Sequence, residues 1–146
     1  MRPTPLVFWS RLIQAAAATV LGLSAVLLLA PSLGEQFFNV IYYHQPASPA
    51  HAPESVVAYI RFANGIIGAV MAGWMIAIIM IARGPFASGD PSAWSNLALP
   101  LGGWFIIDTT FSIAHGVWGN VLLNVAMLLL FGVPLAGSRR YFRTRR

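Results

Sequence analysis

Long apolar stretches, each set off by charged or helix-breaking residues, dominate this sequence. Residues 12–34 lie uncharged between Arg11 and Glu35 and are rich in Ala and Leu. Such a run is long enough for a helix to cross a hydrocarbon core of ~30 Å with some tilt. A second run, 55–82, is opened by Pro53-Glu54-Ser55 and closed by Arg83-Gly84-Pro85, a start and a stop signal for a helix. From 109 to 138 there is no charge at all. Two glycines and an asparagine in His115-Gly116-Val117-Trp118-Gly119-Asn120 predict a turn over 116–119, dividing a third helix over 92–115 from a fourth over 120–137. The expected fold class is all-α, an integral membrane bundle of four transmembrane helices forming a single domain over 1–146.

Composition strengthens this reading. The 146 residues are 58% hydrophobic and only 9% charged, far below the roughly one quarter charged residues of soluble domains. Nine basic residues, all arginine, give a net charge of +5. Arg139, Arg140, Arg143, Arg145 and Arg146 crowd the tail at 138–146, a membrane-flank pattern suited to lipid headgroups rather than nucleic acid. Placing Arg2, Arg11, Arg83 and this tail on one side needs an even number of spans and puts both termini in the cytoplasm. The expected location is a bacterial cytoplasmic (inner) membrane. A signal peptide is the competing reading of the N-terminus, but the apolar core exceeds the usual ~7–15 residues and no small-residue cleavage site closes it.

The connections follow. Residues 83–91 form a cytoplasmic loop. Residues 35–54 form an outer loop, aromatic-rich from Gln36 to Tyr43 and suited to the headgroup boundary, then rich in Pro, Ala and His. Its Glu35, His44, His51 and Glu54 match no metal-ligand spacing, so no metal is expected. Without lysine, no Schiff base can form with retinal or pyridoxal phosphate. Without cysteine, thiol redox chemistry, iron–sulfur ligation and lipoprotein acylation are excluded.

Candidate chemistry is confined to polar residues inside the apolar runs. Asp108 needs a partner or a proton, because a carboxylate in the bilayer interior costs several kcal/mol. At 1.5 Å per residue it lies ~11 Å below the outer end of its helix, and Arg61 lies ~9 Å below the outer end of the second helix. Matching depths predict an Arg61–Asp108 ion pair. Asp108, Ser112 and His115 share one helix face at i, i+4 and i+7. Arg61 and Asn64 face them from the second helix, Asn120 and Asn124 from the fourth, outlining a polar pocket in the outer membrane half. Interhelical packing and hydrogen bonding is their default role. Small residues predict packing faces within the bundle: Ala15, Ala18, Gly22 and Ala25 on the first helix, and Gly65, Gly68, Ala69, Ala72 and Gly73 on the second. Trp9, Trp94 and Trp118 read as interfacial anchors.

Arg61-Phe62-Ala63-Asn64-Gly65, Gly73-Trp74 and Asp108-Thr109-Thr110-Phe111-Ser112 with Asn120 and Asn124 resemble small four-helix bacterial membrane proteins of the broad DoxX-like group. The resemblance covers most of the chain and implies architecture alone. No catalytic constellation appears, since Ser112 and His115 lack a third member and an oxyanion donor. The expected function is therefore a non-enzymatic accessory or assembly subunit, with no cofactor, whose partners are the lipid bilayer and other subunits or further copies of itself. The alternative is a small transporter or channel using Asp108 and Arg61. A third reading, a haem- or pigment-associated protein, rests on His115 as a single axial ligand.

Overall fold

The computed structural model describes residues 5–46 and 53–143 and is helical throughout, with no strand among the described residues. Four helices are long and apolar enough to cross a membrane, so the chain is a multi-pass membrane protein. In chain order the helices are α1 (Pro5–Leu29), α2 (Pro31–Tyr43), α3 (Glu54–Ile81), α4 (Pro91–Ala114), α5 (Trp118–Ser138) and the short α6 (Arg140–Arg143).

The first helix departs from the sequence expectation. It ends at Leu29 rather than running to 34, and a separate helix, α2, occupies much of the expected loop. The cause is Pro31. The residue before a proline is driven out of helical conformation, and Ala30 sits at φ −131°, ψ 68°. Pro31 then supplies the first position of α2, where a missing N–H costs nothing. Gly34, Phe37, Phe38 and Ile41 face inward at helical spacing, while Leu33, Val40 and Tyr42 are exposed. Helix α2 closes at His44, whose left-handed φ of 60° lets its N–H reach the Val40 carbonyl at 3.0 Å.

The expected stop at Arg83-Gly84-Pro85 is also displaced. Pro85 cannot donate to the preceding turn, and the chain accommodates it by widening into a π-helical turn over Ala82–Phe86. Helical structure persists to residue 88 and ends at Gly89, at φ +80°. Asp90 then caps α4, accepting from the Ser92 N–H and hydroxyl at 2.8 Å each.

Helix α1 lies at the centre, packed on α3 and α5, with α4 packed on α5. Its buried face is Ser10, Ile13, Ala16, Ala17, Val20, Ser24 and Leu27. This corrects the expected small-residue face, since Ala15, Ala18, Gly22 and Ala25 are all exposed on the opposite side. Of the three expected glycines on α3 only Gly68 makes close contact, a Cβ there coming within 2.9 Å of the Ser24 carbonyl oxygen, and Ala72 is half-buried. Gly65 and Gly73 have open space where a Cβ would go, and Ala69 is exposed.

The bundle end that holds both helical termini, the terminal end, is held by several side-chain contacts beside an open groove of about 350 Å³ between α4 and α5. The Ser10 hydroxyl donates to the Ala82 carbonyl at 2.6 Å, the rings of Phe86 and Phe142 meet at 4.9 Å, and Trp9 lies against Gly137. Trp94 donates its indole N–H to the Leu135 carbonyl at 2.8 Å, and Arg139 stacks over its ring. At the opposite end the Ile41 carbonyl of α2 rests directly on Gly119 of α5, an approach that leaves no room for a side chain.

Candidate functional site

The polar residues of α4 and α5 meet near the opposite end of the bundle. The Ser112 hydroxyl, one turn after Asp108, lies 2.7 Å from the Asp108 main-chain oxygen and 3.4 Å from its Oδ1. Asn120 reaches across from the first turn of α5, its Nδ2 donating to the Ser112 hydroxyl at 2.8 Å and to Asp108 Oδ1 at 3.1 Å. One turn further on, Asn124 donates to the Thr109 hydroxyl at 3.2 Å. These neutral donors stitch α4 to α5 with side-chain bonds, the form of interhelical hydrogen bonding that membrane helices use.

Arg61 does not join this cluster. Its Nε pairs instead with Glu35 Oε2 at 2.9 Å. The expected Arg61–Asp108 pair is thereby overturned, and the reason is α2. Folding 31–43 as a helix docked on the bundle brings Glu35 to the end of α3 where Arg61 lies, whereas a loop gave it no fixed place. The pair is half-exposed, with side chains 46% and 21% accessible, so its contribution to stability is about 0–1 kcal/mol. Asp108 is left with no ion-pair partner among the described residues.

Asn64, one turn beyond Arg61, is 6% exposed, and its Nδ2 has no hydrogen-bond partner among the described residues. It lines a cleft of about 450 Å³ beneath α2, together with Asp108, Ser112, Asn120, Phe38, Tyr42 and Phe111. A second cleft of about 180 Å³ reaches toward the middle of the bundle between Met71, Trp74, Met75, Trp104 and Met127. Both clefts are lined by Phe38, Ile67, Asp108 and Asn120. Helices α3 and α4 touch little along their length, and the indoles of Trp74 and Trp104, 5.8 Å apart, bridge them.

His115 falls outside this arrangement, correcting its assignment to the pocket. It is exposed, its Nδ1 lies 2.9 Å from the Phe111 carbonyl, its ring lies over the Phe111 ring at 4.1 Å, and it lines neither cleft. No group of three His, Asp or Glu side chains able to hold a metal occurs among the described residues, and His51 lies outside them. Of the tail arginines, Arg145 and Arg146 lie outside the described residues. Arg139 and Arg140 are exposed.

The sequence reading missed Glu35 as the partner of Arg61, Thr109 as the partner of Asn124, and the aromatic and thioether walls. Glu35 could have been found from Pro31, a first-turn signal that starts a helix four residues earlier. The walls carry no local signal, because Phe37, Trp74 and Trp104 look like any apolar membrane residues until the tertiary fold brings them together. No protein family, curated protein or solved structure matches this chain. The likeness to the DoxX-like group rests on the residues quoted for it.

Proposed function

We propose that the chain is a non-enzymatic accessory or assembly subunit of a larger membrane complex, joined to other subunits or to further copies of itself through α1 and α3. The observation that carries this reading is the outward placement of the small-residue faces. Ala15, Ala18, Gly22 and Ala25 on α1, and Gly65, Ala69 and Gly73 on α3, are unused within the chain. Apolar side chains gain nothing from leaving lipid for another helix, so close backbone approach at small residues is a main source of helix association in membranes.

Pull-down from native membranes in mild detergent, with mass spectrometry on the same sample, is expected to recover stoichiometric partners. Gly65→Leu combined with Gly73→Leu should cut that recovery about tenfold. A monodisperse monomer with no partner overturns the reading. The arginine distribution supports a bacterial inner membrane with both termini in the cytoplasm. Because the chain has no cysteine, His44→Cys should label with an impermeant maleimide from outside the cell and Ser88→Cys should not. The reverse pattern overturns the orientation.

A second reading, a small transporter, is favoured by Asp108. It is a carboxylate within a membrane-spanning helix, bonded only to neutral groups and facing two clefts. Intramembrane acids of this kind mark ion and substrate paths. Reconstituted vesicles should then show a proton or cation flux that Asp108→Asn abolishes, and equal flux from both proteins removes this reading.

A further inference from the structure

We propose that the paired clefts beneath α2 form a binding site for a small amphiphilic ammonium compound that also carries a hydroxyl group. Its ammonium would lie on the Asp108 carboxylate, its hydroxyl oxygen on the Asn64 amide, and its apolar body between Trp74, Trp104 and the neighbouring methionines. The inference deepens the transporter reading by naming a ligand class, and it rests on that reading only for the accessibility of Asp108.

Charge sets the first requirement. Among the described acids, Glu35 is paired with Arg61, and Glu54 and Asp90 stand at helix starts. Asp108 alone lies deep within a membrane-spanning helix, and no described cation lies within ion-pair distance. Both of its side-chain hydrogen bonds fall on Oδ1, from Asn120 and Ser112, and Oδ2 has no partner among the described residues. A carboxylate so placed requires a positive counterpart or a proton. The surrounding walls favour an organic cation, because Phe38, Tyr42 and Phe111 line the cleft and aromatic rings attract a positive charge that has left water.

Asn64 sets the second requirement independently. Its amide is buried and its Nδ2 is unpartnered, yet it lines the same cleft as Asp108. Buried donors are nearly always satisfied, so an acceptor is missing here. Its Nδ2 is closed off from the cleft in this structure, and a hydroxyl oxygen on the same ligand would meet it once the Asn64 side chain turns that nitrogen toward the cleft. The third requirement is room for an apolar body, and the adjoining chamber of about 180 Å³ supplies it with thioether and indole walls.

Binding to the full chain in dodecyl maltoside micelles, which carry neither amine nor charge, tests the proposal. Calorimetry would compare 2-amino-1-phenylethanol with 1-phenyl-1,2-ethanediol, which lacks the charge, and with 2-phenylethylamine, which lacks the hydroxyl. Wild-type protein should bind the amino alcohol about tenfold or more tightly than either analogue. Asp108→Asn should erase the preference for the amine over the diol. Asn64→Leu should erase only the preference for the hydroxyl. Equal binding of all three compounds by the wild type overturns the proposal without recourse to any variant, and so does an Asp108→Asn protein that keeps the amine preference. Displacement of the amino alcohol by equimolar phosphatidylethanolamine would assign the site to a lipid headgroup and remove the small-molecule occupant. Flux is measured separately in vesicles, so loss of binding and loss of transport are distinguishable.

Discussion

The two ends of this bundle differ in whether their buried polar groups find partners. Toward the terminal end, Ile13, Ile78, Leu97, Phe131 and Leu135 enclose a void of only about 10 Å³, Ser10 is fully paired, and an open groove of about 350 Å³ runs between α4 and α5, past Trp94 and Arg139. At the opposite end, clefts of about 180 and 450 Å³ adjoin an unpaired carboxylate and an unpartnered amide. Interiors packed to crystal-like density resist change, whereas void-lining groups have already forfeited part of their contact energy. The packed centre of the terminal end therefore carries much of the stability, and the polar groups without partners among the described residues lie at the other end.

The largest expected contrast is between two phenylalanines. Phe86 is completely buried, and Phe86→Ala should cost about 3–5 kcal/mol. Phe38 faces both clefts, and Phe38→Ala should cost about 1 kcal/mol, since it enlarges a space already present. Unfolding by sodium dodecyl sulfate in detergent micelles, followed by circular dichroism, measures both. Equal costs would remove the distinction between the ends.

A smaller contrast separates two glycines one turn apart on α3. Gly68→Ala would drive a methyl to 2.9 Å from both the Ser24 carbonyl and Leu27 Cβ, at a cost of about 1–3 kcal/mol. Gly65→Ala meets open space and should stabilise the isolated chain by about 0.5–1 kcal/mol through the helix preference of alanine. The same unfolding titration reads both signs.

The smallest effect lies outside the membrane spans, at the start of α4. Hydrogen bonds from the Ser92 side chain and then its backbone hold the Asp90 carboxyl below its ordinary range, against a lesser opposing effect of burial. A lowered folded value means that this stabilisation is fully present above the ordinary aspartate range and is lost as pH falls through the lowered value. Acid titration of the midpoint should show a slight fall there, flattened in Asp90→Asn.

Legibility in the sequence followed the range of the physics involved. The helices over 92–115 and 120–137 were readable to within about two residues because Asp90-Pro91 and Gly116 act locally. The break at Pro31 was equally local, but the apolar run on either side of it masked the signal. Asn120 and Asn124 share one face because i, i+4 spacing is a property of any helix, and both line the cleft that Asp108 lines. The partner of Arg61 was not legible, because equal depth in two helices says nothing about which of their faces meet.

The sequence by itself determined that four apolar segments cross a membrane, since no other backbone arrangement of such segments satisfies its hydrogen bonds in lipid. It also determined which helices carry polar groups. Only the tertiary structure decided that α1 stands at the centre with its alanine and glycine stripe turned outward, that α2 covers a cleft, and that Arg61 takes Glu35 and leaves Asp108 unpaired. In a bundle whose every face is apolar, hydrophobicity cannot choose which face turns inward. The choice falls to shape, to the close approaches at Gly68 and Gly119, and to a few polar contacts that exist only once the helices have met.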